Sequence, residues 1–129
     1  MKIPFRLILL LSLYFSAQSL WAQTADADKI TGVWLNQDKD KKFEVYKTKS
    51  NSYEAKVVWV KEGSDAKPVG SVIFKDLRYK SKGLYADGKV YAAQSNEWVK
   101  CKAELKDSKT LIFTGIKGMF SRSQTWTKQ

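Results

Sequence analysis

A two-residue alternation constrains this chain more than any other feature. Val99, Cys101, Ala103 and Leu105 interleave with Trp98, Lys100, Lys102 and Glu104. A pleated strand sends these two sets to opposite faces, one apolar and one charged; a helix would mix them. Tyr53, Ala55, Val57 and Trp59 repeat the period against Glu54, Lys56, Val58 and Val60. No longer window carries a helical stripe. Runs rich in aromatic and β-branched residues predict strands over 31–35, 42–48, 53–61, 69–75, 78–86, 89–93, 98–105, 110–116 and 121–127.

Polar or glycine-bearing breaks separate these runs. Asn36 to Lys42, Lys49 to Ser52, Lys106 to Lys109 and Lys117-Gly118 read as turns, and Glu62 to Pro68 as the longest loop. Asp87-Gly88 reads as a hairpin, because both residues tolerate positive φ. Short connections favour an antiparallel meander, and closing it removes exposed edges. The expected fold is all-β: a small antiparallel up-and-down β-barrel of about eight strands. A barrel of that size is either filled by side chains or just wide enough for one small ligand.

The start of the chain has a different character. Lys2 and Arg6 precede an almost wholly apolar run, Leu7 to Phe15, and a short mixed stretch to Gln23. This is the pattern of a secretory signal peptide over residues 1–22, with the barrel domain at 23–129. The run is too short for a comfortable membrane span, so the mature chain is expected to have no transmembrane segment. The expected location is the periplasm, with secretion as the alternative. Removing residues 1–22 from the 129 leaves 107, and lowers the net charge from +10 to +8.

Composition excludes several chemistries. The sequence has no His, which removes His metal ligation and His acid–base catalysis. Cys101 is the single cysteine, so no internal disulfide can form, and its place on an apolar face reads as an inert core thiol. Glu44, Glu54, Glu97 and Glu104 form no spacing that demands acid–base work. An enzyme is not expected; carboxylate-dependent catalysis is the lesser alternative. No cofactor or metal is implied.

Gly32-Val33-Trp34, Phe43-Glu44-Val45-Tyr46, Tyr53 to Trp59, Gly88-Lys89-Val90-Tyr91, Gly115-Ile116 and the closing Arg122-Ser-Gln-Thr-Trp-Thr-Lys128 occur in this order. The arrangement resembles the DUF2147 family, small exported bacterial proteins of unknown function, over nearly the whole mature chain. The resemblance implies a lipocalin-like or calycin-like barrel. One departure is that Ala92 to Trp98 stands where the family usually has an Asp-Pro turn. In lipocalin-like barrels a Gly-X-Trp on the first strand is covered by a basic residue from the last. Gly32, Trp34 and Arg122 match that pattern, with Gln124 and Trp126 on the same face as Arg122. These five are expected to close the barrel.

The remaining aromatic residues divide between core and site. Tyr53 and Trp59 flank small residues on one face, which either leaves a cavity or fits tapered packing. Tyr46, Tyr85 and Tyr91 are placed to line a barrel and present hydroxyls. These five are the candidate ligand contacts. Trp98 shares a face with Lys100 and Lys102 and is expected at the periphery. Lysines gather near Lys39 to Lys49 and Lys100 to Lys109. They serve solubility, or favour an anionic ligand or an anionic envelope component. Nucleic acid is not expected. The functional expectation is noncovalent binding of a small hydrophobic or amphiphilic molecule with anionic character as an option. The alternative is a filled barrel acting through its surface as an envelope interaction or stress-related module. A monomer is expected, with a dimer left open.

Overall fold

The structure is a computed structural model and describes residues 24–64 and 67–129. The expected export segment 1–22 lies outside the described residues. A helical turn and a 3-10 turn at Asp28–Ile30 lead into β1 (Gly32–Leu35), β2 (Lys41–Lys47), β3 (Tyr53–Val60) and β4 (Val72–Ser81). β5 (Leu84–Ala92), β6 (Glu97–Asp107), β7 (Thr110–Lys117) and β8 (Phe120–Lys128) follow. Each strand pairs antiparallel with the next, and β8 returns to β1, closing an eight-stranded barrel. Among the described residues no helix is long and apolar enough to cross a membrane.

The eight strands replace the nine predicted runs: the break predicted at Asp76-Leu77 falls inside β4, the run 78–86 is split by the β4–β5 hairpin, and the other missing break is Asp87-Gly88. That pair lies inside β5 and makes a bulge: Asp87 has φ 62°, and the register with β6 shifts between Tyr85 and Gly88. A Cβ on Gly88 would come within 2.8 Å of Cys101 Sγ, so the residue provides a close strand approach. The hairpin lies five residues earlier, at Lys82-Gly83, where Gly83 has φ 74°. The signal of a residue tolerant of positive φ is shared by turns and bulges, and strand pairing decides between them.

A second bulge corrects the face assignment on β3. Phe43 pairs with Val57 but Lys42 pairs with Trp59, so Val58 is skipped. Beyond the bulge the faces exchange. Trp59 turns outward beneath Lys42 Nζ, 5.4 Å from the ring centroid, and Val60 packs against the core.

Up-and-down topology gathers alternate connections at opposite ends. The 3-10 turn sits with the β2–β3, β4–β5 and β6–β7 hairpins and plugs that end. Ile30 is fully buried beside Trp34, and the Trp34 Nε1–H donates to the Ile30 carbonyl at 2.9 Å. Tyr53 Oη donates to Asp28 Oδ1 at 2.7 Å, and Tyr85 Oη to the Ala27 carbonyl at 2.6 Å. Their rings meet edge to face, 5.6 Å apart. Burial pushes both phenols well above the ordinary tyrosine range, and the Asp28 carboxylate adds to the effect at Tyr53.

The basic residue over Trp34 is Lys128, which corrects the expectation for Arg122. Lys128 Nζ lies 5.5 Å from the Trp34 ring centroid and donates to the Lys29 carbonyl at 3.2 Å. β1 meets β8 only through Trp34–Lys128 and Leu35–Thr127. Arg122 is six residues up the strand, about 20 Å away at an ordinary strand rise. Gly32 completes the closure with φ 130°, since a Cβ there would meet Lys128 Cε at 2.8 Å. Trp34 and Gly32 thus belong to the closed end, while Arg122, Gln124 and Trp126 do not.

Candidate functional site

The plug leaves the other end of the barrel open. A cavity of about 770 Å³ enters it between the β1–β2, β3–β4, β5–β6 and β7–β8 connections. Its floor is aromatic. Trp126, 2% exposed, stacks on Phe113 at 4.8 Å and 12°, and meets Phe43 at 4.8 Å and 40°. Phe74 underlies this pair, 5.1 Å from Phe113. Val57, Ile73, Val90 and Val99 add aliphatic wall.

One strand grades the cavity from mouth to floor. Phe120, Arg122, Gln124 and Trp126 alternate along β8, so they share its inward face, and all four line the cavity. Phe120 is 81% exposed at the lip of the β7–β8 hairpin. Arg122 makes no ion pair among the described residues. Gln124 Oε1 accepts from Trp126 Nε1–H at 3.2 Å. Its amide nitrogen has no protein partner among the described residues and faces the same space. Lys67 adds a cation to the wall, whereas Lys41 and Lys117, which also line it, are ion-paired with Asp40 and Glu97. Asp38 is the one carboxylate lining it among the described residues. The lining thus passes from an apolar aromatic floor to a polar, cationic mouth, the composition that small-molecule pockets share.

The structure separates the five candidate contacts. Tyr91 lines the mouth; its hydroxyl bonds Asn96, and its ring meets Trp98 edge to face at 5.8 Å. Tyr53 and Tyr85 are buried in the plug with their hydroxyls used. Tyr46 is on the outer wall, opposite Glu54, whose carboxylate accepts a hydrogen bond from its hydroxyl. Partial burial and that carboxylate raise the Tyr46 phenol to about 12. Trp59 is outside for the bulge reason given above. Four of the five therefore lie away from the cavity.

Phe43, Phe113, Gln124 and Trp126 take the place those four were expected to fill. The parity of β8 already set Trp126 and Gln124 on the face of Arg122. Which end of that face opens depends on the pairing with β1, which no local pattern carries. The β3–β4 loop with Pro68 and the β5–β6 turn with Ser95 lie at the open end, and the β2–β3 turn with Lys49 lies at the plugged end.

Closed antiparallel strands, one plugged end and one open aromatic-floored cavity define a lipocalin-like barrel. The structural comparison agrees. The chain is similar to protein HP1028 from the human pathogen Helicobacter pylori, described as belonging to the lipocalin family, with TM-score 0.67 and 20% identity. That match covers 78% of this chain and 82% of the other. Residues 32–128 match the family of uncharacterized proteins conserved in bacteria, DUF2147, and the chain belongs to it. No curated protein matches the chain.

Proposed function

We propose that the protein binds one small hydrophobic or amphiphilic molecule noncovalently in the open cavity, with an anionic end toward Arg122. The β8 gradient carries this reading: a buried indole floor, an amide donor and an unpaired guanidinium on one inward face. The cavity size falls within the range that small-molecule sites occupy. Binding accounts for the site better than catalysis, because the four candidate glutamates are engaged elsewhere. Glu44 pairs with Lys56, Glu97 with Lys117 and Glu104 with Lys106, while Glu54 accepts from Tyr46. The lipocalin-family description of the structural neighbour supports the same choice. Export to the periplasm, expected from residues 1–22, completes the proposal.

The test is native mass spectrometry on protein purified gently from its own host, with anilinonaphthalene sulfonate as an apolar anionic probe. The expected result is a reproducible extra mass lost on denaturation, or saturable binding of one probe molecule. Arg122→Gln should weaken the probe by about threefold to tenfold, the loss of one partly exposed charge contact. A clean apo mass together with no saturable probe binding would refute the proposal.

A further inference from the structure

A separate feature of the outer wall concerns a macromolecular partner. Lys75 on β4 is directly opposite Lys89 on β5, and Lys89 is directly opposite Lys100 on β6. The flanking pairs Phe74–Val90 and Val90–Val99 point inward, so the three ammonium groups form one row across the outside. At ordinary strand spacing the row spans about 10 Å. Like charges directly opposite in a sheet repel and destabilise it. None of the three makes an ion pair among the described residues. Lys102, two residues beyond Lys100 on the same face, is likewise unpaired. Two carboxylates lie near the row and offset it only in part: Asp87 pairs with Lys80 and also interacts with Lys100, and Asp76 forms no ion pair among the described residues.

The next row along the same wall pairs Tyr91 with Trp98. Lys75 Nζ lies 4.5 Å from the Trp98 ring centroid, and Lys67 Nζ lies 3.4 Å from that of Tyr91. Cations thus sit on the ring faces that would stack nucleic-acid bases. No aromatic side chain protrudes from the row to insert into a bilayer, since Trp98 is only 39% exposed. What remains is a line of three lysines on adjacent strands, with the Lys75 ammonium leaning toward Trp98.

We propose that this wall binds a linear anionic polysaccharide, whose repeated carboxylate, phosphate or sulfate groups relieve the repulsion of the Lys75–Lys89–Lys100 row. The occupant follows from charge complementarity, and the export expected for residues 1–22 would bring the chain to such polymers. The surface is on the barrel exterior, so it stands or falls independently of the cavity.

The experiment measures binding of the full chain, in the form its host yields, to heparin as a sulfated glycan over a salt series. The row variant Lys75→Gln/Lys89→Gln/Lys100→Gln is compared with Lys39→Gln/Lys49→Gln/Lys109→Gln, which removes the same charge from loops. The row variant should lose about tenfold in affinity at low salt, with a salt slope shallower by about two to three. Without heparin, Lys89→Gln alone should melt above the wild type, because it removes the central repelling charge and leaves the Lys75–Trp98 contact in place. The loop variant should stay within about twofold of wild type in heparin affinity. Equal losses in both variants would overturn the proposal, as would no heparin binding by the wild type or a lower melting temperature in Lys89→Gln. Tighter binding to poly-dT or to phosphatidylglycerol vesicles than to heparin would also overturn it.

Discussion

Trp34→Ala tests the plug on which the single-ended cavity depends. The indole is fully buried, donates to the Ile30 carbonyl at 2.9 Å, and lies under Lys128 Nζ. Truncating a buried Trp costs about 3–5 kcal/mol when the site cannot collapse. Here collapse is resisted on two sides, by the 3-10 turn and by the Lys128 stem over Gly32. Losing the donor to Ile30 adds about 1 kcal/mol, although terms sharing one residue do not add in full. A total near the upper end, about 4–5 kcal/mol, is a large share of a small domain's stability. It corresponds to a melting temperature lower by roughly 20–30 °C.

Urea unfolding at low temperature, followed by near-ultraviolet circular dichroism, measures this loss. Trp34→Phe keeps most of the ring and removes the Nε1 donor, so it provides a folded reference at a cost of about 1–3 kcal/mol. Trp98→Ala is the contrast. Its ring is on the outer wall and 39% exposed, and its truncation should cost under about 1 kcal/mol. Equal urea midpoints for Trp34→Ala and wild type would refute the plug. Equal losses for Trp34→Ala and Trp98→Ala would refute the assignment of faces.

Lys128→Ala should destabilise by about 1 kcal/mol through the lost cation–π contact and stem packing, whereas Arg122→Ala should stay within about 0.5 kcal/mol. The reverse order in thermal melts would restore Arg122 as the closing residue. Gly88→Ala should cost about 1–3 kcal/mol, because its Cβ meets Cys101 Sγ at 2.8 Å and Leu77 Cα at 3.2 Å. A wild-type urea midpoint would contradict that close approach. Stability should also fall at both extremes of pH. Hydrogen bonding from Asn36, with the nearby Lys41 charge, holds the Asp40 carboxyl below the ordinary 3.8, while Lys29 and Lys80 do the same for Asp26 and Asp87. A depressed folded pKa gives stability that is present above the unfolded value and lost as pH drops through the folded one. The raised phenols of Tyr46, Tyr53 and Tyr85 act oppositely: their contribution is intact below 10.0 and declines as pH rises above it. In a Tyr79→Phe/Tyr91→Phe background, tyrosinate absorbance that grew at pH 10 without loss of the folded dichroism signal would show that these hydroxyls are free.

The alternation at Val99 to Leu105 led directly to β6, and the strand count to a closed barrel, because both follow from local period and short connections. The alternation at Tyr53 to Trp59 held only as far as Val57. A one-residue bulge against Phe43 sends Trp59 outside, and no property of Val58 announces it. Asp87-Gly88 failed for a related reason, since positive φ serves a bulge within a strand as well as a turn between strands. The tyrosines show a different limit. A phenol with an apolar ring and a hydroxyl suits a ligand site and a plug equally well. Tyr53 and Tyr85 were settled by the carboxylate and carbonyl that the 3-10 turn brings across more than twenty residues of sequence.

The length of β1 accounts for the plug and the opening together. With four residues it covers only the last two paired positions of β8. Below that seam, Trp34, Lys128 and Gly32 are pressed into one closure. Above it, no strand pairs with β8 on that side, and the β1–β2 turn substitutes only in part. Gln37 Oε1 accepts from the Thr125 N–H at 2.9 Å. Within that turn, Asn36 binds Asp40 and two successive backbone N–H groups, which fixes its shape beside the cavity. The inward side chains of upper β8 therefore meet space instead of a facing strand. That is where the chain places Arg122 and Gln124, two groups a filled barrel core could bury only with partners. The same pair would be a liability on the lower half of β8, where Lys128 reaches a carbonyl and Trp126 is stacked on Phe113. Polarity along β8 thus follows the reach of β1: the polar side chains stand where no strand faces them, and the apolar and closing ones where β1 does.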